Sequence, residues 1–252
     1  MANYDFPTEV ISLPSQGKCY PESNPLSKGT IEIKYMTAKE EEILASQNLI
    51  RKGVVLDKLF ESIIVDKSIN IDDIFIGDKN GIMLAARILG YGPDYTIEIE
   101  NEFGERVPHS VDLSKVQTKE IDFSKLNTEN KYSFTTSTGV SLEWKFLTHG
   151  DEKKIDTDIK ALQRLNKESG ISSELTTRYR YMITSVDGDT NIGTITKFIN
   201  NSFLTKDTRK FRELIKELQP DINLEFEWEN PQTGEKEVRP IPMGVGFFWP
   251  SE

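Results

Sequence analysis

The chain has 252 residues, of which 37% are hydrophobic and 29% charged, the balance of a globular protein with a buried core and not of a disordered one. A formal net charge of −10, with no run of Lys and Arg, argues against binding a phosphate backbone, so nucleic acid is not an expected partner. Cys19 is the single cysteine, which excludes an intramolecular disulfide and a cysteine-based metal site and points to a reducing compartment.

Residues Met1 to Pro7 lack the basic start and apolar run of a secretion signal. The most apolar stretch, Ile82 to Leu89, contains Arg87 and is far short of the roughly 20 residues that span a bilayer. No membrane span is expected, and synthesis and assembly in a cytoplasm are. Ile11 to Pro25 is rich in Pro, Ser and Gly and reads as an extended arm leading into a strand from Thr30 to Tyr35. Thr37 and Glu40 have capping-box spacing, and Gly53 is a stop, so one helix is expected from about Ala38 to Lys52. A second helix, about Val55 to Val65, aligns Leu56, Leu59, Phe60 and Ile63. A third is expected after Asp78 as N-cap, ending at Gly90 before Gly92-Pro93.

The period then changes from 3.6 to 2. Tyr95, Ile97 and Ile99 alternate with polar residues as a strand with one wet face, and Val107 to Val111 can return as its partner, with Pro108 marking an edge. Asp112 to Asn130 is polar and reads as a linker. A hairpin follows, Tyr132 to Thr136 and Val140 to Leu147, turning at Ser137-Thr138-Gly139. Thr148 and Asp151 repeat the capping arrangement at the head of a long helix carrying Ile155, Ile159, Leu162 and Leu165. Further helices are expected at Ser173 to Ser185, Ile192 to Asn200 and Lys206 to Leu218. Strands Asn223 to Trp228 and Lys236 to Pro240, turning at Gln232-Thr233-Gly234, close the pattern.

Parts of this pattern occur twice. Ile31-Glu32-Ile33-Lys34-Tyr35-Met36-Thr37 matches Leu142-Glu143-Trp144-Lys145-Phe146-Leu147-Thr148, and Pro93-Asp94 to Glu100 matches Pro220-Asp221 to Glu227 in the same order. The matched positions carry apolar spacing and turn chemistry, which describes a duplicated scaffold. The expected fold is α+β, with two related lobes of helices and antiparallel hairpins: an N-terminal arm at 1–29, a first lobe at 30–113, a linker at 114–130 and a second lobe at 131–252.

Reactive constellations are not apparent. The two histidines, His109 and His149, have no metal-ligand spacing, and His149 reads as a polar helix-start residue. Gly77 to Gly81 lacks the spacing of a phosphate cradle and reads as a turn. Asp187-Gly188-Asp189-Thr190-Asn191 begins like a calcium loop, but Ile192 and Phe198 stand where that loop needs Gly and Glu. No nucleophile elbow occurs, and Cys19 has no nearby histidine. Glu40-Glu41-Glu42 reads as a solvated helix face, with a recognition surface for a basic partner as the alternative. No catalytic residue, cofactor, metal or small-molecule substrate is expected. The candidate partner interface is the arm residues Leu13, Pro14 and Tyr20 with the terminal aromatics Phe247, Phe248 and Trp249. Folding back as core is the competing reading for both groups.

Four blocks, Leu13-Pro14-Ser15-x-Gly17-x-x-Tyr20-Pro21, Tyr35-Met36-Thr37-Ala38-Lys39-Glu40-Glu41, Leu89-Gly90-Tyr91-Gly92-Pro93 and Phe247-Phe248-Trp249-Pro250, resemble the baseplate protein family of T-even-like contractile-tailed bacteriophages. The resemblance implies a non-enzymatic structural or assembly protein of the baseplate hub. It would bind other baseplate or tail proteins, be located in the host cytoplasm during assembly, and lie in the virion tail if retained. A transient assembly chaperone is the alternative within that class; a cell-wall hydrolase and an unrelated binding module are the rivals outside it. Relatives can carry paired cysteines at the hairpins, a zinc-ribbon-like arrangement. Glu100 to Gly104 and Glu229 to Gly234 contain none here, so metal binding is not carried over.

Overall fold

Short strands and amphipathic helices alternate through the chain. The computed structural model describes residues 6–100, 106–165, 173–229 and 234–248. The first half runs β1 (Thr8–Ser12), β2 (Thr30–Lys34), α1 (Ala38–Ala45), α2 (Gln47–Lys52), α3 (Val55–Ile63), α4 (Ile76–Tyr91), β3 (Asp94–Glu100) and β4 (Arg106–Asp112). The second runs β5 (Tyr132–Thr135), β6 (Ser141–Trp144), α5 (His149–Leu165), α6 (Glu174–Met182), β7 (Ile183–Val186), α7 (Ile192–Asn201), α8 (Thr205–Leu218), β8 (Glu225–Glu229) and β9 (Lys236–Pro240). The fold is α+β, with small antiparallel sheets β1-β2, β3-β4, β5-β6-β7 and β8-β9 among the described residues.

Several elements differ from the sequence expectation for identifiable reasons. The segment read as an arm begins in β1, which pairs along β2 from Thr8↔Lys34 to Ser12↔Thr30. Its remainder folds over the sheet end through a 3-10 turn at Pro25–Lys28 that buries Leu26. The helix expected from Ala38 to Lys52 is two. Ser46 is extended (φ −69, ψ 102) and its carbonyl restarts the ladder by accepting from Ile50 N–H, as suits a residue whose short polar side chain weakly favours helix interiors. Asp78 does not cap α4 but lies in its first turn, because the helix starts at Ile76. The helix expected from Ser173 to Ser185 ends at Met182, and Ile183–Val186 becomes a third strand on β6. Ile183, Thr184 and Val186 are β-branched and fit a pleated surface.

One arrangement occurs in both halves. Ser15 N–H and Oγ–H donate to the two oxygens of Asp78 at 2.8 and 2.7 Å; Ser137 N–H and Oγ–H donate to the two oxygens of Asp207, both at 2.9 Å. Each serine opens the turn of a hairpin, and each aspartate is the third residue of the helix preceding the last hairpin of its half. Lys34 pairs with Glu40 at 2.8 Å and Lys145 with Asp151 at 2.5 Å, each acid lying three residues beyond the threonine at a helix head.

The halves share their packing. Phe75 bridges Thr148, His149 N–H donates to Ile74 O at 2.8 Å, and Lys119 N–H donates to Asp221 O at 2.8 Å. The polar stretch read as a linker therefore lies against the second half, and its Lys119 ammonium donates to the carbonyls of Lys216 and Gln219 where α8 ends, the pole at which a cation is favoured. Gly77 allows the closest approach: a Cβ there would lie 1.9 Å from Pro220 O.

Candidate functional site

The described residues among those proposed from sequence as a partner interface, Leu13, Pro14, Tyr20, Phe247 and Phe248, lie in the protein's own interior. Leu13, Tyr20, Phe247 and Phe248 are at most 2% exposed, and Pro14 is buried with its ring against Gly81. Trp249 lies outside the described residues. The physical reason is the density of available partners. Tyr20 packs on Phe75 at 4.7 Å between ring centroids and donates its hydroxyl to Asp78 at 2.7 Å, while Phe247 meets Tyr95 edge-on at 5.0 Å. Buried Arg87 donates to Phe247 O at 3.0 Å, Gly92 O at 3.0 Å and Asp94 O at 3.1 Å. It thus ties the C-terminal turn to the α4–β3 corner. In this fold Leu13, Pro14, Tyr20, Phe247 and Phe248 are packed as core.

The charged groups are largely engaged with each other where the halves meet. His149 Nε2 lies 2.5 Å from Asp57 Oδ1, and Lys153 reaches both Asp57 at 3.0 Å and Asp72 at 2.8 Å. Burial disfavours the charge of Asp57, but Lys153 and His149 outweigh it and hold the carboxyl below the usual range. Lys79 pairs with Glu152 at 2.8 Å, and Asn80 donates to Asp221 at 3.0 Å. His149 is therefore an inter-half contact as well as a helix-start residue. Its Nδ1 is buried without a hydrogen-bond partner among the described residues.

Three further groups are settled by burial. Glu40 is not on a solvated face: it is fully buried. Burial raises its pKa, but the Lys34 ammonium, the Ser62 hydroxyl at 2.5 Å and the Thr37 hydroxyl and N–H outweigh that and lower it to about 2. For Asp78 the balance is reversed, and burial pushes its carboxyl above the usual range against the hydrogen bonds of Ser15 and Tyr20. Burial pushes the Cys19 thiol up to about 12, which makes it inert as a nucleophile near neutral pH. In the loop resembling a calcium site, Asp189 accepts from Asn191 N–H and Thr194 Oγ1, both at 2.8 Å, and so acts as a turn and helix-entry residue.

What remains open to a neighbour is at the surface. A groove of about 380 Å³ runs between the β3-β4 and β8-β9 hairpins, floored by Val116, Gln117 and Asn223. His109 of β4 stacks on Phe226 of β8 across it, 5.3 Å between centroids and 23° between planes. The hairpins are held without cysteine: Arg239 lies 4.1 Å over the Trp228 ring, and exposed pairs Arg106–Glu98 and Lys236–Glu227 link their strands. No group of three His, Cys, Asp or Glu side chains among the described residues is arranged to hold a metal, and no described helix is long and apolar enough to cross a membrane.

Sequence reasoning missed Asp57, Asp72, Lys153 and Asp207 as organising residues and read Asp78 only as an N-cap. The signal available was the recurrence of Ser-x-Gly at 15–17 and 137–139 together with aspartate in a first helical turn at 78 and 207. No curated protein and no solved structure matches the chain. A family model described as T4 bacteriophage base plate protein matches residues 7–249. With nearly its whole length matched, the chain belongs to the T4 bacteriophage base plate protein family.

Proposed function

We propose that this protein is a non-enzymatic adaptor of the baseplate hub, built by internal duplication from two related halves, 30–113 and 131–252, and binding other baseplate proteins. The observation that carries the reading is the use made of its titratable groups: Asp57, His149, Lys153 and Asp72 join the halves, and Asp78 and Asp207 clasp turns. These are structural tasks. Family membership supports a location in the tail baseplate, and assembly in the host cytoplasm would precede it.

Quantitative mass spectrometry of purified particles tests the reading and separates its two forms. A retained subunit is recovered at fixed stoichiometry with baseplate proteins. A transient assembly chaperone is absent from particles whose assembly requires it. Failure to associate with any baseplate protein at any stage of assembly overturns both forms. Clearing on a peptidoglycan zymogram that is lost on changing one carboxylate overturns the non-enzymatic assignment.

A further inference from the structure

Among the described residues, the groove between the two hairpins is bordered by unpaired strand edges. It is lined by β4 and β8 and by neither β3 nor β9. Leu113 N–H donates to Pro93 O, which extends the register Asp94↔Asp112 by one pair. The hydrogen-bonded pairs of this hairpin are therefore the odd-numbered ones, and the backbone groups of Ser110 and Asp112 point away from β3. By the same logic Ile241 N–H donating to Leu224 O, one pair beyond Glu225↔Pro240, leaves the backbone groups of Glu225 and Glu227 pointing away from β9. Pro108 falls on the outward parity of β4, where its missing N–H costs the hairpin nothing and blunts the distal part of that edge. The β8 edge has no such interruption.

Where the groove closes, Asn223 N–H donates to Gln117 O and Thr118 bridges Ile222, so the chains entering and leaving the two hairpins already pair there. The ladder then opens, and His109 and Phe226 supply an aromatic lining on the inner side. The four strands carry eight carboxylates against three basic side chains, so half of the net charge of −10 sits on them. Glu225 and Glu227 are exposed on the outer side of β8, whereas Phe226 is half-buried between them.

We propose that this groove binds an extended segment of a partner protein as an added β-strand, in which lysine or arginine alternates with apolar residues. The segment hydrogen-bonds to the free edge of β8, sets its apolar side chains toward Phe226 and Val111, and sets its basic side chains beside Glu225 and Glu227. Alternation follows from the pleat, since successive side chains of an added strand face opposite sides. Basic character follows from the groove's own lining, where Asp112, Glu225 and Glu227 stand against Lys115. The inference rests on the reading that this protein works by binding neighbours, and it adds the chemistry of one of them.

The test uses the full chain and a blocked nine-residue peptide alternating lysine with valine and threonine, alongside a counterpart with glutamate at each lysine. Expected are binding of the lysine peptide that weakens with added salt, at least tenfold weaker binding of the glutamate peptide, and at least fivefold slower hydrogen exchange at the Glu225 and Glu227 amides in the complex. Glu227→Pro, which removes one outward N–H, is expected to weaken binding at least tenfold, as is the double charge reversal Glu225→Lys with Glu227→Lys, which keeps every backbone group. Equal binding of both peptides, no binding of either, or unchanged amide exchange overturns the proposal. If the peptide fails while the protein still associates with baseplate proteins, the groove assignment falls and the baseplate reading stands.

Discussion

The two serine–aspartate clasps use the same bonds in different surroundings. Ser15 and Asp78 are both fully buried, and Tyr20 adds a third donor to the carboxylate. Asp207 is 1% exposed, but Ser137 sits on an exposed turn, where water can replace the serine's bonds. The turn glycines differ in the same way. A Cβ on Gly17 (φ +75) would lie 2.3 Å from Ser27 O, whereas one on Gly139 (φ +87) would meet nothing within 4 Å. The first clasp is enclosed by the Pro25–Lys28 turn and the base of α4, against the second half; the second is peripheral. A motif's local geometry is thus set by its sequence, and its energetic weight by what the rest of the chain places over it.

The largest expected effect breaks the first clasp. Asp78→Ala leaves three buried donors without an acceptor, and urea unfolding should show a loss of about 3–5 kcal/mol; Asp207→Ala, with its serine end wet, should lose about 1–2 kcal/mol. Equal losses would remove the distinction between the clasps.

Acid unfolding comes next. Glu40 has a folded pKa of about 2 against an ordinary 4.5, so its stabilisation, up to about 3 kcal/mol, is fully present above pH 4.5 and is lost as pH falls toward 2. Asp78 has the opposite sign: its folded value is raised from 3.8, so its contribution is fully present below that pH and is lost as pH rises through the folded value. Glu40→Gln should flatten the stability profile between pH 4.5 and 2; an unchanged slope would contradict the assignment.

The turn glycines sharpen the comparison further. Gly17→Ala combines a left-handed backbone with a backbone collision and should cost at least about 2 kcal/mol, against about 1 kcal/mol for Gly139→Ala, where only the conformation is penalised. The smallest expected effect is at the inter-half ion pairs: Lys153 is 42% exposed, so Lys153→Ala should cost no more than about 1 kcal/mol, read as a small shift in urea midpoint.

Local chemistry made much of the fold legible in the sequence. Gly53, Gly92-Pro93 and the alternation of Tyr95, Ile97 and Ile99 fix their elements through backbone rules that need no tertiary context, and the threonine–acid spacing at 37–40 and 148–151 marked both helix heads. Partnership was not legible. Glu40 is indistinguishable in sequence from Glu41 and Glu42, yet it alone lies beneath Lys34 and Ser62. Tyr20 and Phe247 carry the composition of interface anchors, and only the three-dimensional path brings Phe75 and Tyr95 to cover them. β7 was hidden because Tyr179 to Met182 continues a helical pattern until the β-branched run takes over. For the candidate site, the carboxylate excess of the hairpins was visible, but the open edge of β8 beside β4 depends on a register that no single segment encodes.

Native-state hydrogen exchange across a denaturant series tests most directly whether the N-terminal and C-terminal halves form one folding unit. The most protected amides of α4, in the first half, and of α8, in the second, should converge on the same opening free energy and denaturant dependence, because Gly77 against Pro220, His149 with Asp57 and Arg87 with Phe247 join them. Two separate isotherms, with one half opening while the other stays protected, would contradict the account.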